Sequence, residues 1–447
     1  MTSSLPKTDF ATPARSLVLW ERALLALAIF GKCFALWRRQ GAYIGFDLGD
    51  HLPRLQEFYW WSPEPALRAM YYAYHPPVGF FLPNLIFPWI EDAVLRVQCF
   101  NTACSLLCLL LLRATLRHLR LLDSWPGILF LYLWAGIPLL INAGFSLNLD
   151  LPLFVTSLAC LFFSVKLLTD HRPGLSLSRI IFATAITLSI AAGFMIKFSG
   201  LLACSIPVFV AFFFSQARFP FQPMLKAAIP VFLGMALVLP YYWQRYYVPE
   251  RTIFPRNNAM FYQDDILRSQ ILRDQDRIGF ITRFFTPALL QPAREVDVRD
   301  REIIRLSDAW RDFFIADRAL YFPAPDPSSV RGRRLLGQLY QLFFFLSLPA
   351  GLALWLRGRG KWLPTPFAKV VLAQGVVFLL SLSLYCYIES TPVWNPAKAL
   401  YILPCTLAIA LFASETLAFL LRKPAGIRIL PWLLAGWLLT NHLWPVY

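Results

Sequence analysis

The sequence predicts an all-α, polytopic integral membrane protein. Of its 447 residues, 57% are hydrophobic and only 15% are charged, which excludes an ordinary soluble globular protein. Apolar runs of about 20 residues, the length of a helix that crosses a bilayer, recur along most of the chain. The basic residues gather in connections between these runs, so the formal net charge of +16 reflects membrane orientation and predicts no nucleic-acid partner.

We predict about eleven transmembrane helices from the lengths of the apolar runs. From the second run onward, loops rich in Lys and Arg alternate with short loops that hold little basic charge, and the positive-inside rule places the basic loops in the cytoplasm. The first run lacks the cleavage pattern of a signal peptide, so we expect it to be retained. The predicted spans lie near residues 17–37, 93–113, 125–142, 149–168, 179–196, 199–215, 225–243, 336–356, 367–388, 398–421 and 428–443.

Residues 74–90 are apolar, yet they favour a re-entrant or juxtamembrane helix over a further span. The segment is short for a crossing. It contains Pro76, Pro77, Pro83 and Pro88, which would remove backbone hydrogen bonds where lipid offers no replacement. With this segment on one face, the first loop (residues 38–92) and the large loop (residues 244–335) both face outward.

The chain therefore divides into three predicted parts. Residues 1–243 form an N-terminal transmembrane catalytic module that includes the first outward loop, and residues 336–447 form C-terminal transmembrane helices. Between them, residues 244–335 carry apolar positions at helical spacing, which predicts amphipathic helices on the membrane face or over a cavity. A loop of about 90 residues inside a compact protein is more often functional than a simple connection.

Several ionisable side chains fall at the predicted outward ends of the spans. Because the topology brings these loops to one surface, we expect them to surround one outward cavity, and ionisable groups near the hydrocarbon are functional candidates. The candidates are Asp47, Asp50 and His51 in GFDLGDH, His75 in YHPP, Asp150 in NLDLP, Lys197 in MIKFSG and Lys398 in NPAKALY.

Each candidate also has a structural alternative. Asp47 and Asp50 could be solvated loop acids, and His75 could merely begin the re-entrant helix. Asp150 could cap its helix, since Pro152 follows two residues later. The two lysines could be snorkelling to the membrane interface.

No cofactor is expected, and a divalent metal is the less favoured alternative. The eight cysteines lie in apolar runs without Cys-x-x-Cys spacing, which indicates neither a zinc site nor a disulfide framework. His51 beside Asp50 would supply only two ligands, too few for a metal site.

The motifs FDLGDH, HPP, NLDLP and IKFSG, in this order, resemble those of the C-type glycosyltransferases, which use lipid-phosphate sugars. This superfamily includes the protein O-mannosyltransferases and the lipid A aminoarabinose transferases. The resemblance is concentrated in the first 200 residues, and PAKALYILP extends it weakly toward the C-terminus.

The resemblance implies that an aspartate of the first loop is the catalytic base and that the HPP segment lies near the lipid donor. Many relatives have Asp-Glu at this position, whereas here Asp47 precedes Leu48. The step from Asp47 to His51 matches an Asp-x-x-x-His variant and favours Asp47, with Asp50 as a rival.

A polyprenyl-phosphate sugar carries its own leaving group, so such a site needs a base for the acceptor hydroxyl and positive charge for the released phosphate. We expect His75, Lys197 and Lys398 to bind the donor phosphate, with His51 and Asp150 as further site candidates. Direct displacement would invert the anomeric centre. Asp47-x-x-Asp50 is not the Asp-x-Asp pattern of metal-dependent relatives, so a divalent metal is not favoured.

The expected partners are a polyprenyl-phosphate sugar, an acceptor glycolipid, glycan or protein, and the lipid bilayer. The alternative function is a transporter or flippase of lipid-linked sugars, which would be expected to show internal repeats, broken helices and polar residues near the bilayer midplane. The absence of an Asn-x-Ser/Thr sequon and of an ER-retention ending favours a bacterial inner membrane, with the active site facing the periplasm.

Overall fold

The computed structural model describes a chain of helices joined by short turns. No β-strand occurs in the described residues, and the predicted all-α class is confirmed. The described residues are 14–41, 76–170, 176–215, 221–250, 327–360, 362, 364–388 and 402–443.

The α-helices are α1 (Ala14–Arg39), α2 (Val78–Ile86), α3 (Ala93–His118), α4 (Trp125–Ala135), α5 (Pro138–Phe145), α6 (Asp150–Thr169), α7 (Leu177–Ile196), α8 (Ser205–Phe214), α9 (Phe221–Tyr242), α10 (Pro327–Leu356), α11 (Pro366–Ile388), α12 (Cys405–Leu420) and α13 (Pro424–Leu443). Two 3₁₀ segments, Leu121–Asp123 and Phe198–Cys204, connect helices. A π-helical segment, Trp243–Tyr247, and a last helical turn, Val248–Glu250, extend α9.

Six helical segments within the described ranges are long and apolar enough to cross a membrane. They comprise α3, α6, α7, α9 with its π-helical extension, and the apolar parts of α10 and α11, and the bent pair α4–α5 adds a seventh. The other four predicted spans fall on α1, α12, α13 and the segment Phe198–Phe214, which are helical but shorter or more polar. The chain is thus an integral, multi-pass membrane protein, while the total of eleven spans stays a prediction.

The predicted span 125–142 is two helices that meet at 49°. Pro138 has no N–H to donate to the preceding turn, and the extended backbone of Ile137 before it ends α4. The indole of Trp437, on α13, lies against Gly136, where an added Cβ would be 2.1 Å from its Nε1 atom. That indole N–H donates to the Leu133 carbonyl near the break at 3.1 Å, which satisfies a backbone group that would otherwise lack a helical partner.

Helix α2 is too short to cross the bilayer. Nine helical residues extend about 13 Å, less than half of the roughly 30 Å hydrocarbon core. The prediction that residues 74–90 do not form a spanning helix is confirmed, although the helix itself is limited to Val78–Ile86 and has Pro83 in its interior.

Arg96 holds α2 against α3. Its side chain is buried and donates through Nη1 to Asn84 Oδ1 (2.6 Å) and through Nε to the Ile90 carbonyl (2.7 Å). Asp92 completes the turn by accepting a hydrogen bond from the Leu95 N–H at 2.8 Å, which caps α3. The polar groups of this turn are therefore satisfied inside the protein, and α2 is tied firmly to the long helix that follows.

The boundaries of the predicted large loop fall inside helical structure. Helical backbone continues past residue 243 to Glu250, and α10 begins at Pro327, before residue 335. Residues 251–326, which hold the predicted amphipathic helices, lie outside the described residues. The division into three parts therefore stays a prediction.

Candidate functional site

Two of the predicted site residues form an ion pair. The Lys197 Nζ atom lies 2.6 Å from Asp150 Oδ1, and the two side chains are only 16% and 9% exposed, respectively. Asp150 is the first residue of α6 and Lys197 directly follows α7, so the contact joins neighbouring helix ends. The structure thus brings together two residues that were both predicted to lie at outward span ends, and it identifies each as a partner of the other.

The chain reverses sharply at Lys197. This residue has an extended backbone, its N–H donates to the Gly193 carbonyl at 3.0 Å, and its carbonyl accepts from the Gly200 N–H at 2.9 Å. Gly193 and Gly200 pack backbone to backbone, because a Cβ on Gly200 would lie 2.4 Å from the Gly193 carbonyl carbon. This close approach fixes the backbone from which the Lys197 side chain extends to Asp150.

Asp150 is not the capping residue of α6, so that alternative is wrong. The side-chain oxygen of Asn148 accepts the first-turn hydrogen bond from the Leu151 N–H at 2.9 Å. The carboxylate of Asp150 reaches Lys197 instead, and its negative charge at the start of α6 is also favourable for the helix dipole. The Lys197 ammonium contacts this carboxylate and its side chain stays partly exposed, so the snorkelling alternative stays open.

Helix α2 packs directly beside the ion pair. Gly79 lies against Leu149, which precedes Asp150, and against Ile196, which precedes Lys197. Phe80, in the same apolar cluster, is completely buried. The predicted juxtamembrane helix and the two charged residues therefore belong to one packed unit.

A small cavity lies between α2, α3 and residues 147–149. Its volume is about 10 Å³, and it is lined mainly by apolar side chains such as Phe80, Val97 and Leu147. This volume would hold about one water molecule and is too small for a sugar or a phosphate.

A stripe of polar residues on α3 was missed by the sequence reasoning. Asn101 and Thr102 are each three or four residues from both Gln98 and Ser105, so the four share one helix face, and all four are buried. Asn101 and Thr102 donate to carbonyl groups of residues 144–148. The helical spacing of polar residues inside an apolar span was the signal that could have revealed this buried face.

One buried lysine was also missed. Lys32, in the interior of α1, is 6% exposed and donates to Ser105 Oγ on α3 at 2.7 Å. The ring of His442, on α13, packs against the neighbouring Gly31, where a Cβ would lie 2.5 Å from its Cγ atom. Lys32 is therefore an ionisable group held in the helix interior, outside the predicted site.

The remaining candidates, Asp47, Asp50, His51, His75 and Lys398, lie outside the described residues, so their places in the site stay predictions. Within the described ranges, no group of three His, Cys, Asp or Glu side chains is arranged to hold a metal ion.

No protein-family model and no curated protein matches this sequence. Solved structures do match its fold. ArnT from Cupriavidus metallidurans, bound to undecaprenyl phosphate, superposes with a TM-score of 0.50 and 13% identity over 94% of this chain and 62% of ArnT. The apo oligosaccharyltransferase of Archaeoglobus fulgidus gives a TM-score of 0.50 and 11% identity over 96% of this chain and 55% of that protein.

The chain thus has the fold of the C-type glycosyltransferases, the superfamily to which both of these proteins belong. The resemblance carried by the sequence motifs is confirmed at the level of fold. The chain spans slightly less than two thirds of the length of ArnT and just over half of that of the oligosaccharyltransferase.

Proposed function

We propose that this protein is a membrane glycosyltransferase that moves a sugar from a polyprenyl-phosphate donor to a hydroxyl acceptor. The observation that carries the proposal is the Asp150–Lys197 ion pair, packed beside α2 in a fold shared with an enzyme solved with undecaprenyl phosphate. A partly buried cation near the end of membrane helices is suited to a lipid phosphate, whose headgroup lies at that level.

Lys197 would bind the donor phosphate, and Asp150 would orient its ammonium group. An ammonium is a compact positive charge with rotatable N–H donors, and the 2.6 Å contact with Asp150 would fix its position. A cation positioned at the leaving phosphate stabilises the charge that develops as the glycosidic bond breaks. His75 and Lys398 would complete the phosphate site, and His51 would lie near the base.

The transfer itself would be a direct displacement. The acceptor oxygen would attack the anomeric carbon and lose its proton to Asp47, or to Asp50 if the roles are reversed. The bond between the anomeric carbon and the phosphate oxygen would break, and its electron pair would leave with the lipid phosphate. The product would have inverted anomeric configuration, and the positive charge of the lysines would replace a metal ion in this scheme.

The acceptor would be a glycolipid, a glycan or a protein. We place the reaction on the outward face of the membrane, the periplasmic face if the protein belongs to a bacterial inner membrane. Each predicted part of the chain would then have its own role. Residues 1–243 would form the catalytic module, and residues 244–335 would form an outward loop over it.

A flippase of lipid-linked sugars is the second candidate function, and two features of the structure support it. The helix pair α4–α5 is broken by 49°, and Lys32 is buried inside α1. Broken helices and buried ionisable residues occur in transporters. The two functions differ in their product, since only the transferase releases lipid phosphate.

The test uses purified protein in nanodiscs with a panel of undecaprenyl-phosphate sugars and candidate acceptors, and it measures undecaprenyl phosphate by mass spectrometry. We expect release with at least one donor. Asp47→Asn, which removes the basic group but keeps its size, should lower the rate at least ~100-fold, while Asp50→Asn should do less.

The reverse order of these two effects would assign the base to Asp50. No effect of either substitution, or no release with any donor, would contradict the transferase. Movement of a fluorescent lipid-linked sugar across proteoliposomes without release would favour the flippase.

A further inference from the structure

We infer that Asn101 and Asn148 are positioning residues that hold Asp150 at Lys197, an inference that rests on the proposed function of this ion pair. Neither residue touches the charged atoms in a contact that the structure shows. Their effect is exerted through the α5–α6 hinge, residues 146–149, which connects the last residue of α5 to Asp150.

Asn148 fixes the start of α6. Its Oδ1 atom accepts from the Leu151 N–H at 2.9 Å, and its Nδ2 atom donates to the Ala143 carbonyl and to Ser146 Oγ, both at 2.9 Å. One amide therefore links the end of α5, the hinge and the first turn of α6. The orientation of this amide is determined, because the Leu151 N–H can only donate and the Ala143 carbonyl can only accept.

Asn101 fixes the hinge from the neighbouring helix. Its Nδ2 atom donates to the Ser146 carbonyl at 2.5 Å and to the Asn148 carbonyl at 3.3 Å. The side chain is completely buried and, together with Asn148, lines the small cavity of about 10 Å³ beside α2, so these bonds are shielded from bulk solvent. Without Asn101, the Asn148 carbonyl would lose this donor, and the Ser146 carbonyl would keep only the longer bond from Asn148 Nδ2 at 3.2 Å.

Helix α3 connects this hinge to α2. Asn101 bonds the hinge, and Arg96, five residues earlier on the same helix, bonds Asn84 and the Ile90 carbonyl at the α2–α3 turn. The juxtamembrane helix and the residue that orients Lys197 are thus both fixed to α3. Helix α2 also packs through Gly79 against Leu149 of the hinge. A loosened hinge would shift Asp150 and, through it, the Lys197 ammonium, while the Arg96 bonds would keep α2 attached to α3.

The first test compares Asn101→Leu, which has similar size but no donor, with Thr102→Val. Thr102 is the matched control, because it is also buried and donates at 2.8 Å to the Gly144 carbonyl, in α5 and before the hinge. Asn101→Leu should lower the transfer rate at saturating donor about tenfold or more, since misplacement of a catalytic group by ~1 Å can cost that much. Thr102→Val should lower thermal stability similarly and leave the rate within about twofold of wild type.

Conservative replacement provides a second readout. Asn148→Ser keeps an oxygen that can accept from the first turn of α6, whereas Asn148→Ala does not. We expect the serine variant to recover most of the rate that the alanine variant loses. If both variants were equally slow, or if Thr102→Val slowed transfer as much as Asn101→Leu, the positioning role would be overturned.

A double-mutant cycle separates this inference from the proposed function. If Asn101 acts through Asp150, Asn101→Leu should add nothing to the rate loss of Asp150→Asn. Additive losses would overturn the positioning role alone and leave Asp150 in the site. Transfer at the wild-type rate in folded Asp150→Asn would instead remove Asp150 from the donor site, and the inference would be overturned together with that part of the proposal.

Discussion

At the residue scale, the contribution of the Asp150–Lys197 pair to protein stability can be separated from its contribution to donor binding. Both side chains are largely buried, so removing one charge leaves the other without its partner. Breaking a buried ion pair in this way typically costs about 3–5 kcal/mol, whereas neutralising both partners together often costs little. Stability therefore depends on charge balance, while donor binding depends on the lysine itself.

We predict that Lys197→Gln and Asp150→Asn each lower the thermal stability of the purified protein, and that the double variant recovers most of the loss. Donor use should remain impaired in the double variant, because the positive charge is still missing. Lys197→Arg should also impair donor use, since the forked guanidinium is larger than the ammonium and the turn at Gly200 is tight.

Lys166→Gln is the matched control for these variants. Lys166 lies in the last turn of α6, the same helix that begins with Asp150, so it tests the other end of that helix. It should leave the donor titration unchanged. Wild-type donor dependence in the double variant would show that the pair is only structural.

The sequence predicted both members of the pair but not the residues that support them. Asp150 and Lys197 are charged residues in motifs with a recognisable order, so they stand out in an apolar chain. Asn101 and Asn148 are neutral amides, and their importance depends on which carbonyl groups lie nearby, which is a property of the packed helices. Asp47 and Lys398 stay predictions from the motifs.

At the element scale, the turn between α7 and the following 3₁₀ segment depends on glycine. Gly200→Ala would place a Cβ 2.4 Å from the backbone of Gly193, and backbone cannot rotate away as a side chain can. We predict a large loss of thermal stability and of folded yield in detergent, together with loss of donor use, because the same turn carries Lys197.

Gly436→Ala is the control for this prediction. A Cβ at Gly436, in α13, would have no atom within 4 Å. Alanine is a better helix former than glycine by roughly 0.5–1 kcal/mol, so this variant should be as stable as wild type or slightly more stable. If Gly200→Ala melted at the same temperature as Gly436→Ala, the close helix approach would be contradicted.

The lengths of the apolar runs predicted which segments are helical more reliably than where a helix is broken. The proline content and length of residues 74–90 were enough to predict a helix that does not span. By contrast, residues 125–142 were predicted as one span, although Gly136 and Pro138 mark the bend, because both residues also occur in straight membrane helices. The 3₁₀ form of Phe198–Cys204 depends on the packing of Gly193 against Gly200, which no local pattern specifies.

At the scale of the whole molecule, the arrangement requires the first loop and the large loop to lie on the same side of the membrane. In a cysteine-free background, Gly45→Cys and Pro292→Cys should both react with an impermeant thiol reagent added outside. Asp123→Cys, in the 3₁₀ segment on the predicted cytoplasmic side, should react only after permeabilisation. Labelling of Gly45→Cys and Pro292→Cys from opposite sides would contradict the re-entrant arrangement of residues 74–90.

The most direct measurement is photocrosslinking with a photoreactive analogue of undecaprenyl phosphate, followed by peptide mapping of the adducts. We expect crosslinks on α2 and on the adjoining ends of α6 and α7, competed by unlabelled undecaprenyl phosphate and reduced in the stable double variant Asp150→Asn/Lys197→Gln. Lys166→Gln should crosslink like wild type. Crosslinks confined to the opposite ends of α6 and α7, or adducts that excess undecaprenyl phosphate does not remove, would contradict a lipid-phosphate donor site at the Asp150–Lys197 pair.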